Sequence, residues 1–578
     1  MVKKLAKHIR EYKKYAILTP ILVLGEVILE ILIPLIMAEL IDQGIDGGSM
    51  PEIIKYGIAL LISAAVALAL GVGAGKTSAV AAAGFAKNLR GDMYDHVQEF
   101  SFSNIDKFST ASIVTRLTTD ITNVQIRIAT RAPGMLVFAL IASFRIDAEL
   151  SLIFLCVMPL LLLGLGIMIK AVHPIFNRVF KTYDKLNNVV QENLSGIRVV
   201  KSFNRQDHEI EKFGNTSQKI YLDFSKAEKI MAFINPLMQF CMYLTMLLIS
   251  WFGARAIVSS GNNPDIGLST GELISLITYS MQILMSLMMI SMIFVMLTMA
   301  RASGERIVEL LDEESNLHDP ENPIYEVQDG SIDFDHVHFS YGKSKDKEVL
   351  DDIDLHIKSG QTVGIIGATG SAKSSLVQLI PRLYDVSKGS VKVGGKDVRE
   401  YHVESLRNQV AMVLQKNTLF SGSIAENLRW GNEHATDEEL RYACKLACAD
   451  EFINGFEDGY DTYIEQGGTN VSGGQKQRLC IARALLKKPK ILILDDSTSA
   501  VDMKTDAMIR QAFRDEIPNT TKIIIAQRVA SVQDADQIIV LDDGKIADVG
   551  SHDELMERSE IYREVYESQN KGGGLSEQ

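Results

Sequence analysis

Long apolar stretches, all within the first 300 residues, constrain the fold of this 578-residue chain more than any other feature. A helix needs about 20 mainly apolar residues to cross a bilayer. Five stretches reach that length, at 15–40, 57–75, 150–172, 230–254 and 273–300. A sixth, at 132–146, is shorter and has Arg131 and Arg145 at its edges. We expect six membrane helices, because an even number returns the chain to the side on which it began.

The distribution of Lys and Arg predicts how the chain crosses the membrane, because cytoplasmic loops carry an excess of both residues. The N-terminus and the long segments 76–130 and 173–229 are rich in them, and the short segments 41–56, 146–149 and 255–272 are not. We therefore expect a multi-pass protein of the cell membrane with both termini and both long segments in the cytoplasm. The long segments keep helical periodicity, which indicates cytoplasmic extensions of the membrane helices.

The second half of the chain predicts a different kind of domain. Short apolar segments alternate with helical patterns from Ser331 onwards, as is typical of an α/β domain. We expect strands at 331–339, 361–366, 391–393, 410–414, 491–495, 522–526 and 537–541. The predicted order is an all-α transmembrane domain at 1–315, a linker at 316–330, an α/β domain at 331–570, and a flexible tail at 571–578.

Composition narrows the classes of partner. The formal net charge of -13 disfavours a nucleic-acid partner, which would require a basic face. The five cysteines are an odd number without the paired spacing of a metal site, which indicates reduced thiols rather than a disulfide framework.

A predicted strand, a glycine-rich loop and a predicted helix follow one another after Gln361. Backbone N–H groups of such a loop wrap phosphates, and the helix N-terminus adds a partial positive charge. We expect Lys373 to reach the outer phosphates and Ser374 to bind Mg²⁺. The predicted ATP-binding residues of this loop are Gly367, Ala368, Thr369, Gly370, Ser371, Ala372, Lys373, Ser374 and Ser375. If position 372 requires a positive φ, its alanine costs about 1 kcal/mol.

Two further motifs follow the loop. The apolar strand Ile491–Leu494 ends in Asp495, a position from which a carboxylate orders the Mg²⁺ shell. The segment Val471–Arg478 contains Ser472, Gly473, Gly474 and Gln475 at the start of a helix, which makes a second anion cradle. One ATP does not need two cradles on one chain. Two copies of the domain placed head to tail need both cradles, because the second cradle of each copy then closes on the γ-phosphate bound to the other subunit.

At this point the sequence resembles a known family. The segment Val471–Arg478 is similar to the signature motif of ABC transporters, and residues 1–570 resemble one exporter half-transporter. The resemblance implies that Tyr341 stacks on adenine and that Gln415 contacts Mg²⁺. It further implies that Asp502, in a loop beginning at Ser499, contacts the ATP site of the opposite subunit.

The resemblance also implies two short coupling helices, near 104–112 and 203–213, that dock on nucleotide-binding domains.

Two residues depart from the family pattern. Asp496 stands where the family usually has a catalytic Glu, and Gln527 stands where it usually has His. We therefore expect this chain's own ATP site to hydrolyse poorly.

The predicted function is that of one subunit in a heterodimeric ATP-driven exporter, with ATP and Mg²⁺ as cofactors and a second half-transporter as partner. The substrate class stays open between small molecules, lipids and peptides. A slow homodimeric exporter and a regulatory ATP sensor that moves no substrate are the alternatives.

Two features of the membrane half leave their roles open. Glu26 and Glu30 lie one helical turn apart in the first span, where a carboxylate is costly and marks either a functional site or a helix–helix contact. Methionines recur at three- and four-residue spacing between Met281 and Met299, which is typical of ordinary helix packing or of an adaptable apolar surface.

Overall fold

The described residues of the computed structural model are 1–125, 131–260, 267–341, 348–497 and 500–573. The chain divides into two compact units. The first unit comprises Met1–His96 and Ala111–Asp312, and the second comprises Val97–Thr110 and Glu313–Gln578. The second unit is therefore discontinuous in sequence, because a short segment from the membrane half of the chain belongs to it.

The first unit is helical. Its long helices are Lys13–Glu39, Met50–Gln98, Ala148–Ser195, Gln206–Met231, Ile234–Ser260 and Thr270–Leu311. Its shorter helical segments are Val2–Ala6, Lys7–Tyr12, Leu40–Asp46, Thr110–Thr115, Arg116–Asp120, Ile121–Val124, Arg131–Ile146 and Ile197–Ser202. Among the described residues, five helical stretches are long and apolar enough to cross a membrane: Val2–Asp46, Met50–Gln98, Ala148–Ser195, Gln206–Ser259 and Thr270–Leu311.

The sixth predicted span corresponds to the helix Arg131–Ile146, which has 16 residues. At about 1.5 Å per residue it is about 24 Å long, less than the ~30 Å of a bilayer's apolar core. Residues 126–130, with Arg127, lie outside the described residues. Ala139 and Ala142 of this helix pack into the same apolar core as Val27 of the first helix. The helix is therefore part of the membrane domain's core, and its crossing of the bilayer stays a prediction.

Arg131 accounts for both carboxylates of the first span. Its Nη1 donates to Glu26 Oε1 at 3.0 Å, and its Nη2 donates to Glu30 Oε1 at 2.5 Å. The guanidinium thus joins the first helix to the helix Arg131–Ile146, and a helix–helix contact is the observed role of the two glutamates.

The methionines of the last long helix lie away from the core of the chain. Leu276 and Ile283 on one face are fully buried, whereas Met285 and Met292 are each 64% exposed. Packing within this chain therefore does not explain the methionine stripe, which forms an apolar surface of the first unit.

A charged cluster joins the π-helical turn Arg116–Asp120 to the end of the helix Thr270–Leu311. Asp120 is fully buried, and Arg306 donates to it through Nε at 2.8 Å and also through Nη2. Arg116 donates to the Arg306 carbonyl at 2.7 Å and to Glu309 at 2.8 Å. Four charged groups therefore satisfy one another where two helical segments meet.

The second unit is built on β-sheets. Its strands are β1 (Ile332–Phe339), β2 (Leu350–Ile357), β3 (Thr362–Ile366), β4 (Lys388–Val393), β5 (Lys396–Asp397), β6 (Val410–Val413), β7 (Gly422–Ser423), β8 (Tyr463–Ile464), β9 (Ile491–Asp495), β10 (Thr521–Ile525), β11 (Gln537–Asp542) and β12 (Lys545–Gly550). All seven predicted strands are confirmed. The sequence analysis missed β2, β5, β7, β8 and β12.

The second unit also contains helices. They are Lys373–Gln378, Val398–Glu400, Val403–Gln409, Ile424–Arg429, Asp437–Leu446, Asp450–Asn454, Gly459–Asp461, Gly473–Leu485, Met503–Glu516, Val529–Ser531, His552–Arg558 and Glu560–Gly573, together with Phe102–Lys107. The last helix runs three residues into the predicted tail, and residues 574–578 lie outside the described ones.

Sheet order determines where a site can form. The six-stranded sheet has the order β12-β11-β3-β10-β9-β6, in which the five strands from β11 to β6 are parallel. A second sheet, β2-β1-β4-β5, is antiparallel. The four neighbours β3, β10, β9 and β6 therefore end at one common edge, which is where ligands bind in parallel α/β sheets.

Candidate functional site

The loops that follow these four strands carry the predicted site residues. The glycine-rich loop follows β3, and Gln415 lies two residues after β6. Asp495 ends β9 and Asp496 follows it, and Gln527 lies two residues after β10. Residues that are more than 150 positions apart in the sequence thus meet at one edge because their strands are neighbours.

The glycine-rich loop has the backbone of a phosphate cradle. Gly370 has φ +88°, and a Cβ added to it would meet open space. Lys373 begins the helix that follows, and its Nζ donates to the carbonyls of Gly367 and Ala368 at 2.9 and 2.8 Å. Burial lowers the pKa of Lys373. A half-buried cation held by neutral carbonyl and hydroxyl oxygens is suited to exchange them for phosphate oxygens.

Ala372 occupies the left-handed region, with φ +69° and ψ +21°. The condition under which this alanine is strained, a positive φ at position 372, is therefore met. An L-residue with a side chain costs about 1 to 2 kcal/mol in this conformation.

Ser374 and Asp495 lie together as a pair of oxygen ligands would. The Ser374 hydroxyl donates to Asp495 Oδ1 at 3.0 Å, and Asp495 is 4% exposed. Burial raises the pKa of Asp495, and the Ser374 hydrogen bond acts in the opposite direction. A hydroxyl and a carboxylate at this separation fit Mg²⁺, which prefers oxygen ligands and compensates buried negative charge.

Two side-chain amides lie against the Asp496 carboxylate. Gln527 Nε2 donates to its Oδ2 at 2.7 Å, and Gln415 Nε2 approaches the same oxygen at 3.5 Å. Asp496 is 9% exposed and has φ +49°, and burial raises its pKa. The Gln415 amide thus approaches Asp496, the residue that follows Asp495. The Asp496 carboxylate therefore lies against two neutral amides.

Tyr341 lies two residues after β1 and is 42% exposed. Its hydroxyl lies 2.9 Å from Ser375 Oγ, and its ring lies edge-on to that of Tyr384 at 5.2 Å between centroids. One face of the cradle therefore carries a half-exposed aromatic ring, as stacking on a base requires.

The signature segment begins the helix Gly473–Leu485. The Ser472 hydroxyl accepts from Gln475 N at 3.3 Å, and Gln475 Oε1 accepts from Ser472 N at 2.9 Å, which is a capping box. A Cβ on Gly474 would lie 2.9 Å from the Ala500 carbonyl, so only glycine permits this approach. Asp502 caps the next helix by accepting from Thr505 N at 3.0 Å. Ser499 lies outside the described residues.

The two predicted coupling segments differ in position from the short helices observed. Near 104–112 the short helices are Phe102–Lys107 and Thr110–Thr115, and Ile197–Ser202 is a short helix just before 203–213. Phe108 adopts an extended conformation that ends Phe102–Lys107, and Asn204, at φ +51°, separates Ile197–Ser202 from the long helix Gln206–Met231.

A domain of long apolar helices followed by this cassette defines an ABC exporter half-transporter, an ATP-hydrolysing membrane protein that crosses the bilayer several times. The chain belongs to the ABC transporter family. Residues 16–287 match the family described as "ABC transporter transmembrane region", and residues 350–499 match "ABC transporter".

Relatives match over nearly the whole chain. The chain is 35% identical to the uncharacterized ABC transporter ATP-binding protein YfiB of Bacillus subtilis (strain 168), with 98% of each chain covered. It is 34% identical to Rv1273c of Mycobacterium tuberculosis (strain ATCC 25618 / H37Rv), also with 98% of each covered. It is 31% identical to the ATP-dependent lipid A-core flippase of Desulfotalea psychrophila, with 84% of each covered.

Proposed function

We propose that this chain is the subunit with the impaired ATP site in a heterodimeric ABC exporter. The observation that carries the proposal is the pairing of Asp496 with Gln527 at 2.7 Å, at the position where hydrolysis requires a base. The proposal concerns the division of work between two subunits, and it extends the family's ATP-driven transport.

The chemistry of the two side chains supports impaired hydrolysis. Asp496 is one methylene shorter than Glu, and a displacement of ~1 Å at a reacting centre costs about a hundredfold in rate. Gln527 is neutral, so it can donate a hydrogen bond to a γ-phosphate but places no positive charge opposite it, whereas a protonated His would add a charge–charge attraction. Both losses fall on one site, so nucleotide stays bound there for longer than at a competent site.

The chain retains the signature residues with which it would complete an ATP site on a partner subunit. Ser472 and Gln475 cap a helix whose N-terminus is positive, and Gly474 keeps its backbone close to Ala500. We propose that Ser472–Gln475 and Asp502 complete the partner's competent site, while Ser374, Gln415 and Asp495 hold Mg²⁺ in this chain's own site. ATP binding then closes the two cassettes, and hydrolysis at the competent site opens them again.

The membrane domain is proposed to cross the bilayer six times, with both termini and the cassette in the cytoplasm. We propose an amphipathic, lipid-like substrate. The flippase relative and the exposed face at Met285 and Met292 support this choice, because flexible methionines adapt to varied apolar ligands.

The double substitution Asp496→Glu with Gln527→His tests the impaired site. We expect the ATPase rate of the purified pair to rise at least about twofold, because a second site then hydrolyses ATP. The matched control is Asp496→Asn with Gln527→His, which supplies the histidine without a base and should leave the rate at the wild-type level. An unchanged rate in the first variant would remove the catalytic interpretation of both residues.

Purifying the chain alone and together with its partner distinguishes the proposed subunit from a homodimeric exporter and from a regulatory ATP sensor. If the chain alone forms a stable dimer that moves lipid in vesicles at the rate of the pair, it is a homodimeric exporter. If the pair binds ATP and moves neither lipids nor apolar cations or peptides, the regulatory sensor is the better description.

A further inference from the structure

Tyr384 connects two parts of the second unit that are far apart in sequence. Its ring lies edge-on to Tyr341 at 5.2 Å between centroids and 5.6 Å from the ring of Phe339. Its hydroxyl donates to Asp106 Oδ2 at 2.7 Å, and its ring lies 6.1 Å from that of Phe102. One side chain therefore contacts both the half-exposed tyrosine of the cradle and the helix Phe102–Lys107.

The opposite side of that helix is held as well. Asn104 Nδ2 donates to Glu313 Oε1 at 2.9 Å and to the Glu314 carbonyl at 3.0 Å, and Lys107 lies 2.5 Å from Glu313 Oε2. The Ser101 hydroxyl donates to Asn316 at 2.6 Å. Ser101 and Asn104 are 5% and 4% exposed, so these contacts are shielded from water. A helix of six residues held on both sides follows small displacements of its neighbours.

The hydroxyl of Tyr384 is a dependable donor. Burial and the Asp106 carboxylate raise its pKa, so it stays protonated throughout the physiological range. The link also runs back to the phosphate cradle, because Tyr341 bonds Ser375 in the helix that begins at Lys373. A ligand that moves or immobilises Tyr341 therefore acts on Tyr384 directly.

We propose that Tyr384 is a positioning residue that transmits occupancy of this chain's own ATP site to the helix Phe102–Lys107. Base stacking orders the Tyr341 ring, and the Tyr384 ring then packs against it. Because the Tyr384 hydroxyl is hydrogen-bonded to Asp106, movement of the ring also moves Asp106. This inference rests on the proposed site, and it gives that site a task that requires bound nucleotide without rapid hydrolysis.

Hydrogen exchange of the purified pair tests the link. A non-hydrolysable ATP analogue with Mg²⁺ should raise protection in two peptides, one over the glycine-rich loop and one over residues 97–110. In Tyr384→Phe, which keeps the ring and loses the hydroxyl, the first gain should persist. The second should fall by about threefold or more, as expected for loss of a hydrogen bond to a charged group. Asp106→Asn should weaken the second gain in the same way.

Tyr442→Phe is the matched control, because Tyr442 donates to Glu516 at 2.7 Å elsewhere in the cassette. It should leave both gains at their wild-type size. A full gain over residues 97–110 in Tyr384→Phe would overturn the proposal. So would a parallel loss over the glycine-rich loop, since Tyr384 would then serve nucleotide binding alone. Neither result bears on the Asp496 and Gln527 substitutions, which decide the impaired site separately.

Discussion

Ala372 is a residue with a side chain whose backbone lies in the left-handed region. It holds φ +69° at the last position before Lys373, inside the loop that wraps phosphate. The surrounding loop imposes this conformation, because the helix N-terminus and the path of the cradle fix the backbone on both sides. Strain of this kind is therefore a local cost that a glycine would remove.

We expect Ala372→Gly to stabilise the folded cassette by up to about 1 kcal/mol, since the strain of a left-handed alanine exceeds the entropy that glycine adds to the unfolded chain. Thermal unfolding of the full-length protein with and without ATP measures the effect, and ATP affinity should rise with it. Ala368→Gly is the control, because Ala368 is not among the described residues with positive φ. A lower melting temperature in Ala372→Gly would contradict the strain.

From the sequence, the strain at residue 372 could be stated only on the condition that its φ is positive. The sequence shows an alanine at this position, and the left-handed backbone angle came from the structure. The hydrogen bond from Gln527 to Asp496 could not be predicted either. Both residues were predicted site residues, but their contact depends on β10 and β9 being neighbours. Tyr384 carried no sequence signal at all, since an aromatic residue after a helix is usually a packing residue.

Elements were predictable where their hydrophobic pattern was strong. The buried strands β3, β9, β10 and β11 consist of nearly continuous apolar residues, which is typical of parallel strands. The strand β2 was missed because it contains Asp351, Asp352 and Asp354, and aspartate is depleted in strands. Its alternating burial shows why it forms nevertheless, since Leu350 and Ile353 face the core.

The buried ion pair of Asp120 with Arg306 was also outside the reach of the sequence. Burial alone would raise the pKa of the Asp120 carboxyl, but hydrogen bonds from Arg306 and Ser303 bring that pKa below its usual range. We expect Asp120→Asn to destabilise the protein by about 2 kcal/mol, because the arginines then lose their charged partner. Thermal unfolding in detergent measures this change.

Glu305→Gln provides the comparison on the same helix. Glu305 pairs with Arg301 at 3.0 Å, and the two side chains are 58% and 74% exposed. Exposed pairs contribute little, so this variant should unfold at the wild-type temperature. Equal losses in the two variants would mean that burial of Asp120 adds nothing to its pairing.

At the scale of the whole molecule, hydropathy and motif order were sufficient to predict a membrane domain followed by a cassette. They were not sufficient to predict that Val97–Thr110 belongs to the second unit. That grouping depends on contacts between residues more than 200 positions apart, such as Asn104 with Glu313. A polar helix of six residues offers no pattern from which such a contact could be inferred.

The division of work between two subunits gives an order of effects. We expect Ser472→Ala to reduce ATPase turnover of the pair at least about tenfold more than Asp496→Asn. In the proposed division of work, Ser472 serves the competent site, where electrostatic stabilisation of the transition state is worth about 10²-fold or more per donor. In the same proposal, Asp496 serves a site that contributes little. Steady-state rates of the two variants, each beside the unaltered partner, measure the order, and the reverse order would place the working site on this chain.

The discontinuous second unit has a consequence for how such transporters are recombined. A chimera that exchanges residues 331–570 alone leaves behind both Phe102–Lys107 and Glu313–Asn316, the two stretches that meet beside Tyr384. A foreign cassette would then face a docking helix shaped for another surface. Modular exchange must therefore carry three separate stretches of the gene together, and duplicated copies that diverge into different subunits have to change them in concert.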